Sequence, residues 1–127
     1  MKTKIFDQHS EHNEWMNKLL FYDVEMKIMQ KRLDQAAAAE LSQDDLKQIE
    51  HFQNQIFIQS KHITELTKHI KGEEKMLQAN ISQNTVASDH RRIEDHAEER
   101  EQVAAFEKIF NELRKEFNGF LSLLSKQ

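Results

Sequence analysis

The sequence predicts an all-α protein, an elongated antiparallel up-down-up three-helix bundle with heptad, coiled-coil-like packing. Three observations predict it. The 127 residues include no Pro, no Cys and only two Gly, whereas sheet-rich folds need Gly and Pro at their many corners. Apolar residues recur in alternating steps of three and four along three long stretches, the 3.5-residue period of left-handed helix packing. Two segments, 41–45 and 80–88, gather the Ser, Asn, Asp and Thr typical of connections. A chain of this length is expected to form one domain over residues 1–127.

The first helix is expected over about 3–39. Its seam runs Ile5, Gln8, His12, Trp15, Leu19, Tyr22, Met26, Met29, Leu33, Ala36. Thr3 is a suitable N-cap, with Asp7 and Ser10 as competitors. The second helix, about 43–79, starts behind Ser42, and Asp45 sits where it can complete a capping box. Its seam is Ile49, Phe52, Ile56, Gln59, Ile63, Leu66, Ile70, Glu73, Leu77. Gly72 falls inside it, and one helical Gly costs only about 1 kcal/mol relative to Ala, so the helix is expected to continue. The third, about 88–125, follows a cap at Thr85 or Ser88. It carries Val103, Phe106, Phe110, Leu113, Phe117, Phe120 and Leu124, and backwards the seam falls on Glu99, His96, Arg92 and Asp89. Each helix is then about 55 Å long at 1.5 Å per residue. Near-equal helices with short loops pack as antiparallel neighbours.

Composition excludes several functions. There are 18 basic and 22 acidic side chains, a net charge of −4, and no segment is strongly basic, so a nucleic-acid partner is not expected. Apolar runs such as Leu19–Tyr22 are too short to cross a bilayer. The polar N-terminal stretch has no signal-peptide core, and a soluble, cytoplasmic protein is expected. Without Cys there is no disulfide, thiolate metal ligand or thiol nucleophile. Ser10 near His12 and Ser88 near His90 lack an oxyanion site, and Gly72 and Gly119 lie too far apart for a phosphate loop. No catalytic or organic-cofactor residue is expected.

Two features stand out from the packing pattern. Phe21, Val24 and Ile28 lie on the outward side of helix 1, and Phe57 and Ile58 lie outside the helix 2 seam. Grouped at one height they form an apolar patch fit for a protein partner, either a homodimer or another helical protein. At one end of the bundle the seam turns polar. A hairpin turning near Glu40–Leu41 sets His12 level with His69, His69 level with Glu99, and Glu73 level with Asp95. Imidazoles and carboxylates on facing helices are how bundles hold divalent metals. His12, His69 and His96 with Glu73 or Glu99 are the leading ligand candidates for zinc or iron, followed by His90 and Asp95.

His90 and Asp95 reproduce a His-x-x-x-x-Asp spacing, which resembles faintly the hemerythrin-like cation-binding bundles. That resemblance implies a metal held between helices. The chain lacks the His-x-x-x-His of that family and has three helices where the family has four. The string HFQNQIFIQ at 51–59 resembles one in uncharacterised small helical-bundle proteins, which implies a similar bundle and no activity. The leading expectation is a non-catalytic structural or protein-interaction bundle. The alternatives are a divalent-metal-binding bundle and a small helical subunit of a larger assembly.

Overall fold

The structure is a computed structural model that describes residues 2–80 and 86–126, with side chains over 7–79 and 94–126. Three helices make it up: α1 Lys2–Ala37, α2 Gln43–Asn80 and α3 Val86–Ser125. α1 starts at Lys2 and α3 at Val86, so Thr3 and Ser88 stand inside the helices rather than capping them, while Thr85 and most of the expected 80–88 connection lie outside the described residues. The α1–α2 connection is in view. Ala38 and Ala39 close the end of α1 by hydrogen bonds to the carbonyls of Gln35 and Ala36. Ser42 then opens α2 with a reciprocal cap. The Asp45 N–H donates to Ser42 Oγ at 3.1 Å, and the Ser42 N–H donates to Asp45 Oδ2 at 3.4 Å. The cap satisfies an orphan amide, and Asp44 and Asp45 place negative charge at the positive helix end. α2 runs unbroken through Gly72, which is exposed.

The seams of the three helices form one core. Trp15, Leu19, Met26, Met29 and Leu33 of α1 are buried against Phe52, Ile56, Ile63, Leu66 and Ile70 of α2 and Val103, Phe106, Phe110, Leu113 and Phe117 of α3. Burying each such side chain contributes about 1.5–3 kcal/mol. Aromatic rings tie the elements together: Tyr22 lies 4.4 Å from Phe110, and Phe52 lies 5.4 Å from Phe117, centroid to centroid. Contacts across the bundle give the direction of each helix. Gln30 of α1 bonds Gln53 of α2, and His9 bonds Glu74 at the other end, so α1 and α2 are antiparallel. Phe52 meets Phe117 while His69 meets Glu99, so α2 and α3 are antiparallel too. The expected α1–α2 register is displaced by about two residues. His12 lies against Glu74, where the hairpin reckoning put it level with His69.

α1 and α3 run parallel, and a ladder of ion pairs holds their register. Glu11 pairs with Arg100, Lys18 with Glu107 at 3.1 Å, and Glu25 with Arg114 at 3.8 Å. Both sides step by one heptad per rung, and the charges alternate in sign. Each pair is partly exposed and contributes no more than about 1 kcal/mol. Their arrangement does more than their strength. A slip by one heptad would set Glu11 against Glu107 and Lys18 against Arg114, so a one-heptad slip meets like charge. Among the described residues, no helix is long and apolar enough to cross a membrane.

Candidate metal centre

The seam rule that buries Leu and Phe elsewhere also buries four polar groups, Gln59 on α2 and three that gather at one end. His12 on α1 and His96 and Glu99 on α3 are only 1–6% exposed. Their heptad positions leave them nowhere else to point. His96 and Glu99 are one helical turn apart and share a face. Trp15 closes the cluster toward the apolar core, stacking on the His96 ring at 4.8 Å and tilting against His12 at 5.7 Å.

Each buried imidazole has one nitrogen hydrogen-bonded to a carboxylate and one that makes no hydrogen bond. The Nδ1 of His12 lies 2.8 Å from Glu74 Oε1, and the Nε2 of His96 lies 3.0 Å from Glu11 Oε1. With its proton on the hydrogen-bonded nitrogen, each ring donates to a carboxylate and turns a lone pair inward. Those inward atoms, His12 Nε2 and His96 Nδ1, are buried without a hydrogen-bond partner, as are both oxygens of Glu99. Glu99 Oε1 approaches His12 Nε2 at 3.2 Å, but the alignment makes no hydrogen bond. The supporting carboxylates are themselves anchored. Arg100 grips Glu11 through Nε and Nη2, while His9 and Gln78 bond Glu74. Histidines that ligate metals are normally oriented in this way, by a carboxylate on the ring's other nitrogen.

A second group adjoins the first. His69 and Glu73, one turn apart on α2, face Glu99 from the other side, with His69 Nε2 at 3.2 Å from Glu99 Oε2. The donor atoms of His12, His96 and Glu99 lie within 4.8 Å of one another, as do those of His69, Glu73 and Glu99. Ligands around a tetrahedral ion at about 2.1 Å sit about 3.4 Å apart, so an adjustment of about 1 Å or so would close either group on a cation.

The electrostatics fit a site short of positive charge. Arg100, against the opposing effect of burial and with the help of His96, holds the Glu11 carboxyl down to about 2. Glu11 is therefore anionic throughout the physiological range. Burial, then the charge of Glu99, push the Glu73 carboxyl up. Burial lowers the His12 pKa, but Glu99 and Glu74 more than offset it, and the net shift is upward. Burial works against ionisation of Glu74 too, yet its bonds to His12, His9 and Gln78 bring it below the usual range. Too many carboxylates share too little positive charge, and a cation relieves that imbalance.

Of the seven ligand candidates, the structure gathers His12, His96, Glu99, His69 and Glu73. Asp95 lines the same cleft as His69 and Glu73. The side chain of His90 lies outside the described residues. His51 and His62 are exposed, edge-on to Phe52 and Phe106. Glu11 and Glu74 escaped the sequence reading because they lie off the seams. Their signal was indirect: Glu11 starts the heptad-spaced charges 11, 18 and 25, opposite in sign to 100, 107 and 114. No protein-family model matches the chain, and neither a curated protein nor a solved structure matches it.

A carboxylate buried without hydrogen bonds costs stability, about 1–3 kcal/mol or more for a charged group. Glu99→Leu is therefore expected to raise the melting temperature of the metal-free protein by several degrees, at about 1–2 kcal/mol of relief. Thermal unfolding followed by circular dichroism with a chelator present reads this directly. A fall of several degrees would show that Glu99 is a structural strut.

Proposed function

We propose that this protein is a divalent-cation-binding helical bundle, with its primary site at His12, His96 and Glu99. The observation that supports the reading is the convergence of four buried metal-ligating atoms that make no hydrogen bond: His12 Nε2, His96 Nδ1 and both Glu99 oxygens. Two imidazoles and a carboxylate suit zinc, iron or manganese rather than calcium or magnesium, which take oxygen ligands. Both rings are pre-set in tautomer and orientation by Glu74 and Glu11, so binding orders little more than is already ordered.

Trp15 supplies the readout, being the chain's one Trp and stacked on His96. Cobalt(II) titrated into metal-free, tag-free protein is expected to quench Trp15 fluorescence saturably, and zinc is expected to reverse it by displacement. The double variant His12→Ala/His96→Ala is expected to lose the effect by at least about tenfold in apparent affinity. Acidification from pH 8 to pH 6 moves the midpoint to higher metal concentration, because protons compete for the imidazoles. Equal quenching of wild type and double variant would refute the site.

A second reading concerns the apolar patch. Phe21, Val24, Ile28, Phe57 and Ile58 are 41–69% exposed, and Leu20 beside them is exposed as well. Those exposures favour a protein-interaction role, as a homodimer or as a subunit docked on another helical protein, and this role is compatible with metal binding at the polar end. Light scattering at micromolar concentration is expected to give twice the monomer mass, falling to the monomer in Phe21→Ser/Val24→Asn. A wild-type monomer would rule out the homodimer.

A further inference from the structure

We propose that Glu99 bridges two divalent cations, an inner one shared with His12 and His96 and an outer one shared with His69 and Glu73. The proposal rests on the cation-binding reading above and extends it from a single ion to a pair. Glu99 divides its two oxygens between the groups. Oε1 lies 3.2 Å from His12 Nε2, and Oε2 lies 3.2 Å from His69 Nε2. Neither oxygen accepts a hydrogen bond, and the side chain is wholly buried. A carboxylate that serves one ion through one oxygen leaves the other to be satisfied by a protein donor. Here the second oxygen accepts no hydrogen bond, and the His69 imidazole and the Glu73 carboxylate stand beside it.

The topology explains how one residue reaches both groups. α3 lies against both partners, so a seam position on it faces α1 on one side and α2 on the other. His12 comes from α1. His69 and Glu73 come from a single face of α2, four residues apart, the spacing at which helical side chains converge. Glu99 sits at the meeting point, and each ion would take ligands from two helices. The charges agree as well. Glu73 and Glu99 face each other with Asp95 in the same cleft, and a second dication offsets that repulsion.

The two positions differ in access. The inner one is sealed by Trp15 and the core. The outer one opens into a cleft of about 170 Å3 lined by His69, Glu73, Asp95, Glu98, Glu99 and Gln102. At about 30 Å3 per water, that space takes an ion with a few waters and excludes anything much larger. The outer ion therefore exchanges with solvent and keeps coordination positions for water or a small oxygen-donor ligand, while the inner ion is retained.

Equilibrium dialysis against zinc followed by metal analysis is expected to find two ions per chain in wild type. It should find one in His69→Ala/Glu73→Gln, with cobalt quenching of Trp15 kept. Both substituted residues lie at least partly in solvent, and unchanged circular dichroism checks the fold. Manganese(II) in the wild type is expected to give an exchange-coupled paramagnetic resonance spectrum, which the double variant loses. One ion in both proteins, with Trp15 quenching intact, overturns the bridged pair and leaves the single site standing. Two ions in both proteins, or two uncoupled manganese ions in the wild type, also overturn it. No bound ion in wild type overturns the pair and the single site together.

Discussion

A carboxylate sealed inside a helical bundle constrains everything around it. Glu99 is 1% exposed with neither oxygen hydrogen-bonded, an arrangement that opposes folding unless positive charge is supplied. The protein surrounds it with imidazoles, the one side chain that switches between neutral ligand and cation near neutral pH. Burial lowers the His12 pKa, but Glu99 and Glu74 raise it overall, which favours a protonated ring beside Glu99. In the proposed metal-bound form, the ring nitrogen facing Glu99 is a ligand. The polar end is thus built around a negative charge that a proton or a metal ion can balance.

The rest of the bundle supplies the rigidity this needs. The apolar half, with its interlocked Phe52, Phe106, Phe110 and Phe117, carries the stability that the polar end gives up. The ladder from Glu11–Arg100 to Glu25–Arg114 fixes the axial register of α1 on α3. That register decides whether His12 and Glu99 meet, because a slip of one heptad moves a helix by about 10 Å. The first rung has two duties: Glu11 locks the register through Arg100 and orients His96 through its ring nitrogen. Exposed ion pairs of small individual energy therefore matter here for placement.

Most of the fold was legible in the sequence because it follows from one periodicity. Unbroken three-four steps predicted the helices, and Ser42 with Asp45 predicted the start of α2. The site was legible only where it shares the seams. His12, His96, Glu99 and Glu73 stood out as polar residues at core positions, and His69 was found as a neighbour across the hairpin. Glu11, Glu74 and Arg100 lie on flanks, where charged residues are ordinary, and only their three-dimensional pairing marks them. The hairpin reckoning came within about two residues of the contacts Gln30–Gln53 and His9–Glu74, close enough to bring His12 and His69 to Glu99 but not to single out Glu74. Gln59 shows the opposite case: it is equally buried in the α2 seam, yet it stands alone with an unpartnered Oε1 and gathers no other donor.

The most direct test of the account is anomalous diffraction from crystals of the tag-free protein grown with zinc, measured above and below the zinc edge. The account predicts that the strongest peak lies between His12 Nε2, His96 Nδ1 and Glu99, with all three side chains drawn to ligand distance. Saturating zinc with no density at that point, or with peaks confined to exposed histidines such as His51 and His62, would contradict it.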